Sequence, residues 1–176
     1  MKHLEAHLHV KGRSLFIDDH QLPDNILYGA VVVSSVPHGR VEKMDTAPAL
    51  AVPGAVSVLT ARDIPGENQI GNIILDEPLL ADGEISFLGE PVALVLAESP
   101  ETAALAAGKV LLEVSRLPAV FDPRQAYERN MLIAPPRTFS MGDTDSAWSR
   151  CDVIVDGTAE SGGQEHVYLE TQGAFA

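Results

Sequence analysis

Residues 84–98, Glu-Ile-Ser-Phe-Leu-Gly-Glu-Pro-Val-Ala-Leu-Val-Leu-Ala-Glu, form the most regular stretch of the chain. The middle of this stretch, 92–97, is apolar throughout and does not alternate with polar residues. Gly89 and Pro91 lie before it, and Ser99-Pro100 follows it. A short run rich in Val and Leu between such breaks is typical of a β-strand buried on both faces. We therefore expect a buried strand here, with the rest of the chain organised around it.

The residues after this strand predict a short helix and a second strand. Ser99 can act as an N-cap, and Pro100 suits the first helical position because its missing N–H costs nothing there. Residues 102–109 are rich in Ala and predict a helix. In residues 110–115, Val110, Leu112 and Val114 alternate with the mostly polar set Leu111, Glu113 and Ser115, which is typical of a strand. A strand, a short helix and a strand thus follow one another along the chain.

Weaker patterns predict further elements. Strands are expected at 10–19, 26–34, 41–44, 55–59, 153–159 and 167–169, and short helices at 47–51, 123–128 and around 147–148. The expected N-caps are Thr46, Thr60, Asp122 and either Asp143 or Asp145. Residues 130–142 contain Pro135-Pro136 and show no period, so they predict a linker.

Composition and charge narrow the class of protein. The chain has 176 residues and a formal net charge of −13, which argues against binding to nucleic acid or to an anionic membrane surface. No apolar run is long enough to span a bilayer. The single cysteine, Cys151, excludes an internal disulfide and fits a reducing compartment. These features predict a cytoplasmic protein.

Common catalytic and metal-binding patterns are scarce. The sequence has no Gly-rich phosphate loop and no Gly-x-Ser-x-Gly motif. Cys151 follows Arg150 but precedes an apolar run, so an inert thiol is favoured over a nucleophile. Residues 1–10 contain His3, His7 and His9, and His3 and His7 could share a helix face and bind a metal, but solvated histidines at a surface terminus are favoured. We assign no catalytic residue and no metal ligand.

The most unusual polar cluster lies at 162–170, Gly-Gly-Gln-Glu-His-Val-Tyr-Leu-Glu. If this segment is a strand, its alternation puts Gln164, His166, Tyr168 and Glu170 on one face. Such a face could form a polar wall near a cofactor or a buried hydrogen-bond network, or it could be the solvated face of an edge strand. A second polar group, with Ser34, Ser35, His38 and Arg40, follows the strand predicted at 26–34 and is either a site or an ordinary connection.

Several segments together resemble one enzyme family. They are Lys11-Gly12-Arg13-Ser14-Leu15-Phe16-Ile17-Asp18-Asp19, Leu27-Tyr28-Gly29-Ala30, His38-Gly39-Arg40-Val41, Pro53-Gly54-Ala55-Val56, residues 60–68, Leu80-Ala81-Asp82-Gly83, Phe87-Leu88-Gly89-Glu90-Pro91-Val92, Gly142-Asp143 and residues 162–170. In this order they resemble the start of the molybdenum-binding subunit in the xanthine dehydrogenase and aldehyde oxidase family of molybdenum hydroxylases.

The resemblance implies a fold and a domain order. The fold would be α/β (α+β), an α/β-hammerhead domain over 10–125 with a mixed sheet and short helices. A linker over 126–145 and the first strands of a molybdopterin-binding domain over 146–176 would follow. Because apolar sequence continues to Ala176, we expect the chain to be the N-terminal piece of a longer protein, with an open edge after about residue 157 that could self-associate.

The resemblance also implies an activity for the whole protein. That protein would hydroxylate a purine such as xanthine, another heterocycle or an aldehyde with oxygen from water. It would use a molybdopterin-type molybdenum cofactor, and electrons would pass to 2Fe-2S clusters and FAD on partner subunits or domains. Gln164, His166 and Glu170 match the motif leading into the cofactor domain, but no ligand contact is assigned to them. The chain itself would be structural and would contact those partners, and the alternative is a free-standing α/β protein-interaction module.

Overall fold

A computed structural model describes residues 4–166 and 173–174. The chain divides into two units. The first is the continuous segment Pro23–Met131, and the second combines Met1–Leu22 with Leu132–Ala176. The two units are described separately.

The structure is a mixture of strands and short helices. The strands are β1 (Tyr28–Val33), β2 (Gly39–Asp45), β3 (Ala55–Thr60), β4 (Glu84–Ile85), β5 (Pro91–Ala97) and β6 (Leu111–Arg116). The α-helices are α1 (Ala6–His9), α2 (Ala47–Leu50), α3 (Pro100–Ala107), α4 (Pro123–Glu128) and α5 (Thr144–Trp148). Two 3₁₀ turns lie at Ile17–Asp19 and Ala61–Asp63. Within the described ranges, no helix has the length and apolar character needed to cross a bilayer.

The predicted central strand is confirmed as β5. It lies between β1 and β3 in a three-stranded sheet and pairs antiparallel with both. Val92, Ala93, Val95 and Ala97 are completely buried, and α3 packs against this sheet. Leu94 and Leu96 of β5 are only partly buried.

The second sheet has the order β4, β2, β6, again antiparallel. Ile85 of β4 is fully buried and belongs to the same core cluster as Val92 and Val95 of β5. Val114 of β6 packs against that cluster. The apolar core of the unit Pro23–Met131 is therefore shared by both sheets.

The predicted order of strand, helix and strand is confirmed, with one addition. β5, α3 and β6 occur where the sequence places them, but β5 belongs to the first sheet and β6 to the second. Helix α3 therefore connects the two sheets. Its buried Ala103 and Ala106 explain why the helix is rich in small residues, since larger side chains would hold it away from the sheet.

Three predicted helix caps are confirmed. The Ser99 hydroxyl accepts the Thr102 N–H at 3.1 Å. The carboxylate of Asp122 accepts the Arg124 N–H at 2.8 Å, and that of Asp143 accepts the Ser146 N–H at 3.0 Å. Each bond satisfies one of the N–H groups that a helix start leaves without an internal partner.

Two other caps work differently from the prediction. Thr46 makes no side-chain cap bond at α2; instead the Asp45 carboxylate accepts the Ala47 N–H at 3.0 Å. At the turn Ala61–Asp63 the Asp63 carboxylate accepts both the N–H and the hydroxyl of Thr60, each at 2.8 Å. In both places a carboxylate, a stronger acceptor than a hydroxyl, provides the bond.

Two strand predictions in the second unit are wrong. Residues 10–19 contain no strand, and the Asp19 carboxylate accepts the Phe16 N–H at 2.9 Å to close the 3₁₀ turn. Residues 153–159 have no helix or strand, and the side chains of Val153 and Val155 are 77% and 87% exposed. Neither segment has a neighbouring strand in the described part of the chain, and β-branched residues alone do not make a strand without one. The strand expected at 167–169 lies outside the described residues.

Candidate functional site

The polar strand face predicted at 162–170 is not formed by the residues that the structure describes. Gln164 and His166 are exposed, in a segment without helix or strand. The N–H of His166 donates to the side-chain carboxylate of Glu165 at 2.9 Å, a bond between sequence neighbours. Tyr168 and Glu170 lie outside the described residues. Gln164 and His166 therefore do not lie in a strand, and the strand expected at 167–169 is outside the described residues.

Cys151 follows α5 and is an exposed free thiol. Its Sγ contacts the Ala147 carbonyl oxygen at 3.3 Å, as expected for a thiol that donates a weak hydrogen bond to the preceding helical turn. Of the histidines near the N-terminus, His7 and His9 lie in α1, and the ring of His9 contacts the Ser14 hydroxyl at 2.8 Å, while His3 lies outside the described residues. In the described ranges no three or more His, Cys, Asp or Glu side chains are grouped to hold a metal ion.

Ser34, in the loop after β1, is one of two buried polar residues among the described residues of the unit Pro23–Met131, and Glu90 is the other. Ser34 is 2% exposed, and its hydroxyl donates to the Val36 carbonyl at 2.9 Å and accepts the Val36 N–H at 3.0 Å. The backbone N–H of Ser34 donates to the Glu90 carbonyl, and its carbonyl accepts the Gly89 N–H, both at 2.9 Å. The two backbone bonds fix the loop against the turn before β5, and the two hydroxyl bonds hold the loop's own shape.

Glu90 forms a buried polar junction with Ser34, because the backbone groups of the two residues are hydrogen-bonded. Its side chain is 2% exposed, and the carboxylate accepts the backbone N–H of Ser86. Gly89 has a φ of +87°, a conformation that favours glycine and that lets the chain turn tightly into β5. In the sequence Glu90 stands out only as part of a family motif, and its burial is not predicted. A carboxylate directly before a buried apolar run was the available sign.

His38 forms a second polar junction at the start of β2. Its Nδ1 lies 2.6 Å from the Pro118 carbonyl oxygen and its Nε2 lies 3.4 Å from Oε1 of Glu84. Since a carbonyl can only accept, Nδ1 is the donor in the first bond. The Pro118 carbonyl, assisted by the Glu84 carboxylate, raises the pKa of His38 above its ordinary value against a partial desolvation that lowers it. One imidazole thereby connects β2, β4 and the segment after β6.

The two junctions do not form a nucleophile and base pair. The Ser34 hydroxyl bonds to Val36, while the His38 ring bonds to Pro118 and Glu84. A serine nucleophile needs its hydroxyl within hydrogen-bond reach of the base. The polar loop 34–40 therefore connects strands, which was one of its two interpretations, and it also fixes where each strand starts.

The chain is similar to known proteins over both of its parts. A family model described as "Aldehyde oxidase and xanthine dehydrogenase, a/b hammerhead domain" matches residues 11–118, which is more than half of the chain. The chain belongs to the aldehyde oxidase and xanthine dehydrogenase family. A second model, for a molybdopterin cofactor-binding domain, matches residues 124–176. The α/β-hammerhead fold class and the family resemblance are both confirmed.

Curated members of the family match nearly the whole chain. Xanthine dehydrogenase 1 of Arabidopsis thaliana is 37% identical over 98% of this chain and 13% of its own length. Aldehyde oxidase 2 of Cavia porcellus is 35% identical over 97% of this chain and 12% of its own length. The chain thus spans about an eighth of the length of these relatives.

Solved structures share the fold. The aldehyde oxidoreductase from Desulfovibrio gigas matches 85% of this chain and 19% of its own with a TM-score of 0.72 and 30% identity. The CO dehydrogenase from Oligotropha carboxidovorans matches 72% of this chain and 16% of its own with a TM-score of 0.60 and 33% identity.

Membership of this family implies a molybdenum cofactor for the whole enzyme, so the described residues can be tested against it. In the segment that matches the cofactor-binding domain, every described side chain from 124 to 166 is exposed or partly exposed. A cofactor needs a concave site lined by buried groups, and these residues do not provide one. The described residues alone therefore do not form a cofactor site.

Proposed function

We propose that this chain supplies the hammerhead domain and the start of the cofactor domain of a molybdenum hydroxylase. In this proposal 10–125 is the hammerhead domain, 126–145 is the linker and 146–176 begins the molybdopterin-binding domain. The role of the chain is structural: it shapes one side of the enzyme and contacts other domains or subunits. Gln164, His166 and Glu170 belong to the segment that leads into the cofactor domain and have no assigned ligand.

One observation carries the structural role. Between Leu132 and Val155 the apolar side chains are exposed, among them Ile133 at 92%, Phe139 at 88%, Met141 at 81% and Val155 at 87%. Large apolar groups exposed in such a series are typical of a surface that further protein covers. Burying each would contribute about 1.5–3 kcal/mol, enough to hold the segment on a partner.

The activity proposed for the whole enzyme is the hydroxylation of xanthine with oxygen from water. Similarity to proteins named xanthine dehydrogenase supports a purine substrate, and a nearly equal similarity to proteins named aldehyde oxidase supports an aldehyde as the competing substrate. The same family membership supports a molybdenum cofactor on this enzyme and 2Fe-2S and FAD centres on other domains or subunits. A cytoplasmic location is part of the proposal and is supported by a single cysteine in 176 residues.

A second function is favoured by a different observation. The unit Pro23–Met131 has its own core, with Ile85, Val92 and Val95 completely buried. Such a unit could act as a free-standing protein-interaction module. The two functions differ in what should be isolated together with the chain.

The test is to isolate the native protein by a tag on this chain and to measure molybdenum, iron and flavin in it. We expect molybdenum in a one-to-one ratio with the chain, and turnover of xanthine in water labelled with ¹⁸O that places the label in the product. Turnover of aldehydes alone would correct the substrate but keep the enzyme class. A preparation with neither molybdenum nor hydroxylation would favour the interaction module.

The structural role has its own test. We expect residues 1–176, expressed alone, to contain no stoichiometric molybdenum after growth in medium supplemented with molybdate. Molybdenum bound one-to-one to this chain alone would show that the role is more than structural.

A further inference from the structure

The loop between Asn68 and Leu80 is fixed at its base by side-chain hydrogen bonds. The Asn68 amide donates to the Leu80 carbonyl at 2.8 Å and accepts the Leu80 N–H at 3.1 Å. Leu80 is buried, and the next residue, Ala81, donates its N–H to the Pro91 carbonyl at 2.8 Å. The base of the loop is thus connected directly to the first residue of the central strand β5.

The middle of the loop is also held by defined bonds. The side-chain oxygen of Gln69 accepts the N–H groups of Gly71 at 2.7 Å and of Glu77 at 3.0 Å. The Ile70 N–H donates to the Glu77 carbonyl at 2.8 Å. A Cβ added at Gly71 would overlap the carbonyl oxygen of Ile74, so the turn is tight enough to require glycine. The loop is therefore ordered by its own contacts.

The tip of this loop, Ile73–Leu75, projects apolar side chains into solvent. Ile73 is 93% exposed and Leu75 is 73% exposed. Isolated exposed apolar residues are common, but here a fixed loop holds two of them outward together. Holding an apolar group in place before binding removes the entropy cost of ordering it on contact, which is how a docking residue gains affinity.

The sequence on both sides of the tip carries charge of one sign. Between residues 63 and 108 the sequence has nine Asp or Glu residues and no Lys or Arg. Asp76 and Glu77, directly after the tip, are exposed. A partner must therefore offer an apolar recess for the tip and basic side chains for the rim. The same acidic surface on a second copy of this chain would be repelled, and so would an anionic membrane.

We propose that the Ile73–Leu75 tip is a docking point for another protein surface, an apolar recess bordered by Lys and Arg. The loop supplies the apolar anchor and its acidic rim sets the orientation. We assign the recess to another domain or subunit of the hydroxylase, and this assignment rests on the proposed function. The docking itself rests on the exposure, the bracing and the charge of the loop.

The test places a photo-cross-linking amino acid, benzoylphenylalanine, at position 73 of the full-length protein in its own cells. The matched control carries it at position 105, because Leu105 on α3 is also an exposed aliphatic residue, at 56%. We expect the cross-linked yield from position 73 to exceed that from position 105 by about tenfold, the ratio expected when one contact contributes about 1.4 kcal/mol. The captured peptide should contain apolar residues next to Lys or Arg.

Charge reversal tests the rim. The double variant Asp76→Lys, Glu77→Lys should reduce the yield from position 73 by about tenfold, and about 0.5 M salt should reduce it in the same direction. Leu75→Asp should do the same, while Leu105→Asp should not. Because the substituted side chains are exposed, the thermal melting of each variant should match that of the parent chain, which excludes unfolding as the cause.

The proposal is overturned if position 73 captures only a second copy of this chain or lipid, or captures no more than position 105. A yield that charge reversal leaves unchanged would also overturn it. Cross-linking as expected in a protein that lacks molybdenum would instead contradict the proposed function and leave the docking point standing.

Discussion

Two runs of β-branched residues in this chain behave in opposite ways. Val31–Val33 lies in β1, where each residue pairs with β5, and Val32 is 9% exposed. Val153–Val155 has the same character, yet it forms no strand, and its side chains are 53–87% exposed. A strand needs a neighbour that accepts and donates its backbone hydrogen bonds, and only the first run has one in the described residues. The local pattern is therefore not sufficient for a strand.

The largest expected effect is a loss of stability when a charged residue replaces a buried valine, compared with the same change at an exposed valine. Val95→Asp would place an unpaired carboxylate at the centre of β5, where the side chain is 0% exposed. We expect it to destabilise the unit Pro23–Met131 by about 4 kcal/mol or more. Val155→Asp, at a site that is 87% exposed, should change the stability of that unit by less than about 0.5 kcal/mol. Urea denaturation followed by circular dichroism measures both, and similar losses would contradict the comparison.

A pair of glycines tests close packing. A Cβ at Gly39 would lie 2.5 Å from Cγ1 of Val114 and 2.8 Å from the Ser115 carbonyl oxygen, whereas nothing lies within 4 Å at Gly157. We expect Gly39→Ala to destabilise the unit by about 1–3 kcal/mol because β2 must move away from β6. Gly157→Ala should be nearly neutral in the same denaturation experiment. A neutral Gly39→Ala would show that the two strands can separate without cost.

The caps of α3 and α5 have similar hydrogen bonds, but their removal should affect the stability of the unit Pro23–Met131 differently. Ser99→Ala removes the cap of α3, and Asp143→Ala removes the cap of α5. Both changes should cost the helix concerned about 1 kcal/mol. Only the first should lower the melting temperature of the unit Pro23–Met131, because α3 packs on its central sheet. Hydrogen exchange of the helix amides distinguishes a local loss from a global one, and an equal drop in melting temperature would contradict this assignment.

The smallest effect is expected at the His38 junction and depends on pH. Since the bond to Pro118 raises the pKa of His38 in the folded state, the protonated form is favoured by folding. Its stabilising contribution should be complete below the ordinary histidine pKa of about 6.5 and should be lost as pH rises through the raised value. The melting temperature of the parent chain should therefore exceed that of His38→Gln by more at about pH 5.5 than at about pH 8.5.

The matched control for His38 is His166→Gln, which removes an exposed histidine of the other unit. It should leave the melting temperature of the unit Pro23–Met131 unchanged at both pH values. A difference between the parent and His38→Gln that does not change with pH would show that the ring acts through its shape and not its charge.

Local sequence patterns predicted those elements of the fold that neighbouring residues determine. The run 92–97, the Ser99 cap and the Ala-rich helix were all found, because strand boundaries, caps and helix propensity depend on adjacent residues. The division of β5 and β6 between two sheets was not predicted, since it depends on which distant strands pair. The strands expected at 10–19 and 153–159 failed for the same reason.

The polar junctions were predicted only in part. The sequence shows Ser34 and His38 as part of one polar loop. Their partners Glu90, Glu84 and Pro118 lie 46 to 80 residues away along the chain, so the sequence alone does not identify them. The cluster at 162–170 was noted from its composition, and its strand was inferred from alternation. Where the described residues extend into it, Gln164 and His166 do not form that strand.

The strand order β1, β5, β3 has a consequence for synthesis on the ribosome. Both outer strands of this sheet leave the exit tunnel before the strand that joins them, and 57 residues, 34 to 90, separate the end of β1 from the start of β5. At roughly 5–20 residues per second, β1 waits for roughly 3–11 s with its backbone groups unpaired. A nascent chain stalled before Pro91 should therefore be open to chaperones and proteases, and one released beyond Ala97 should close on itself.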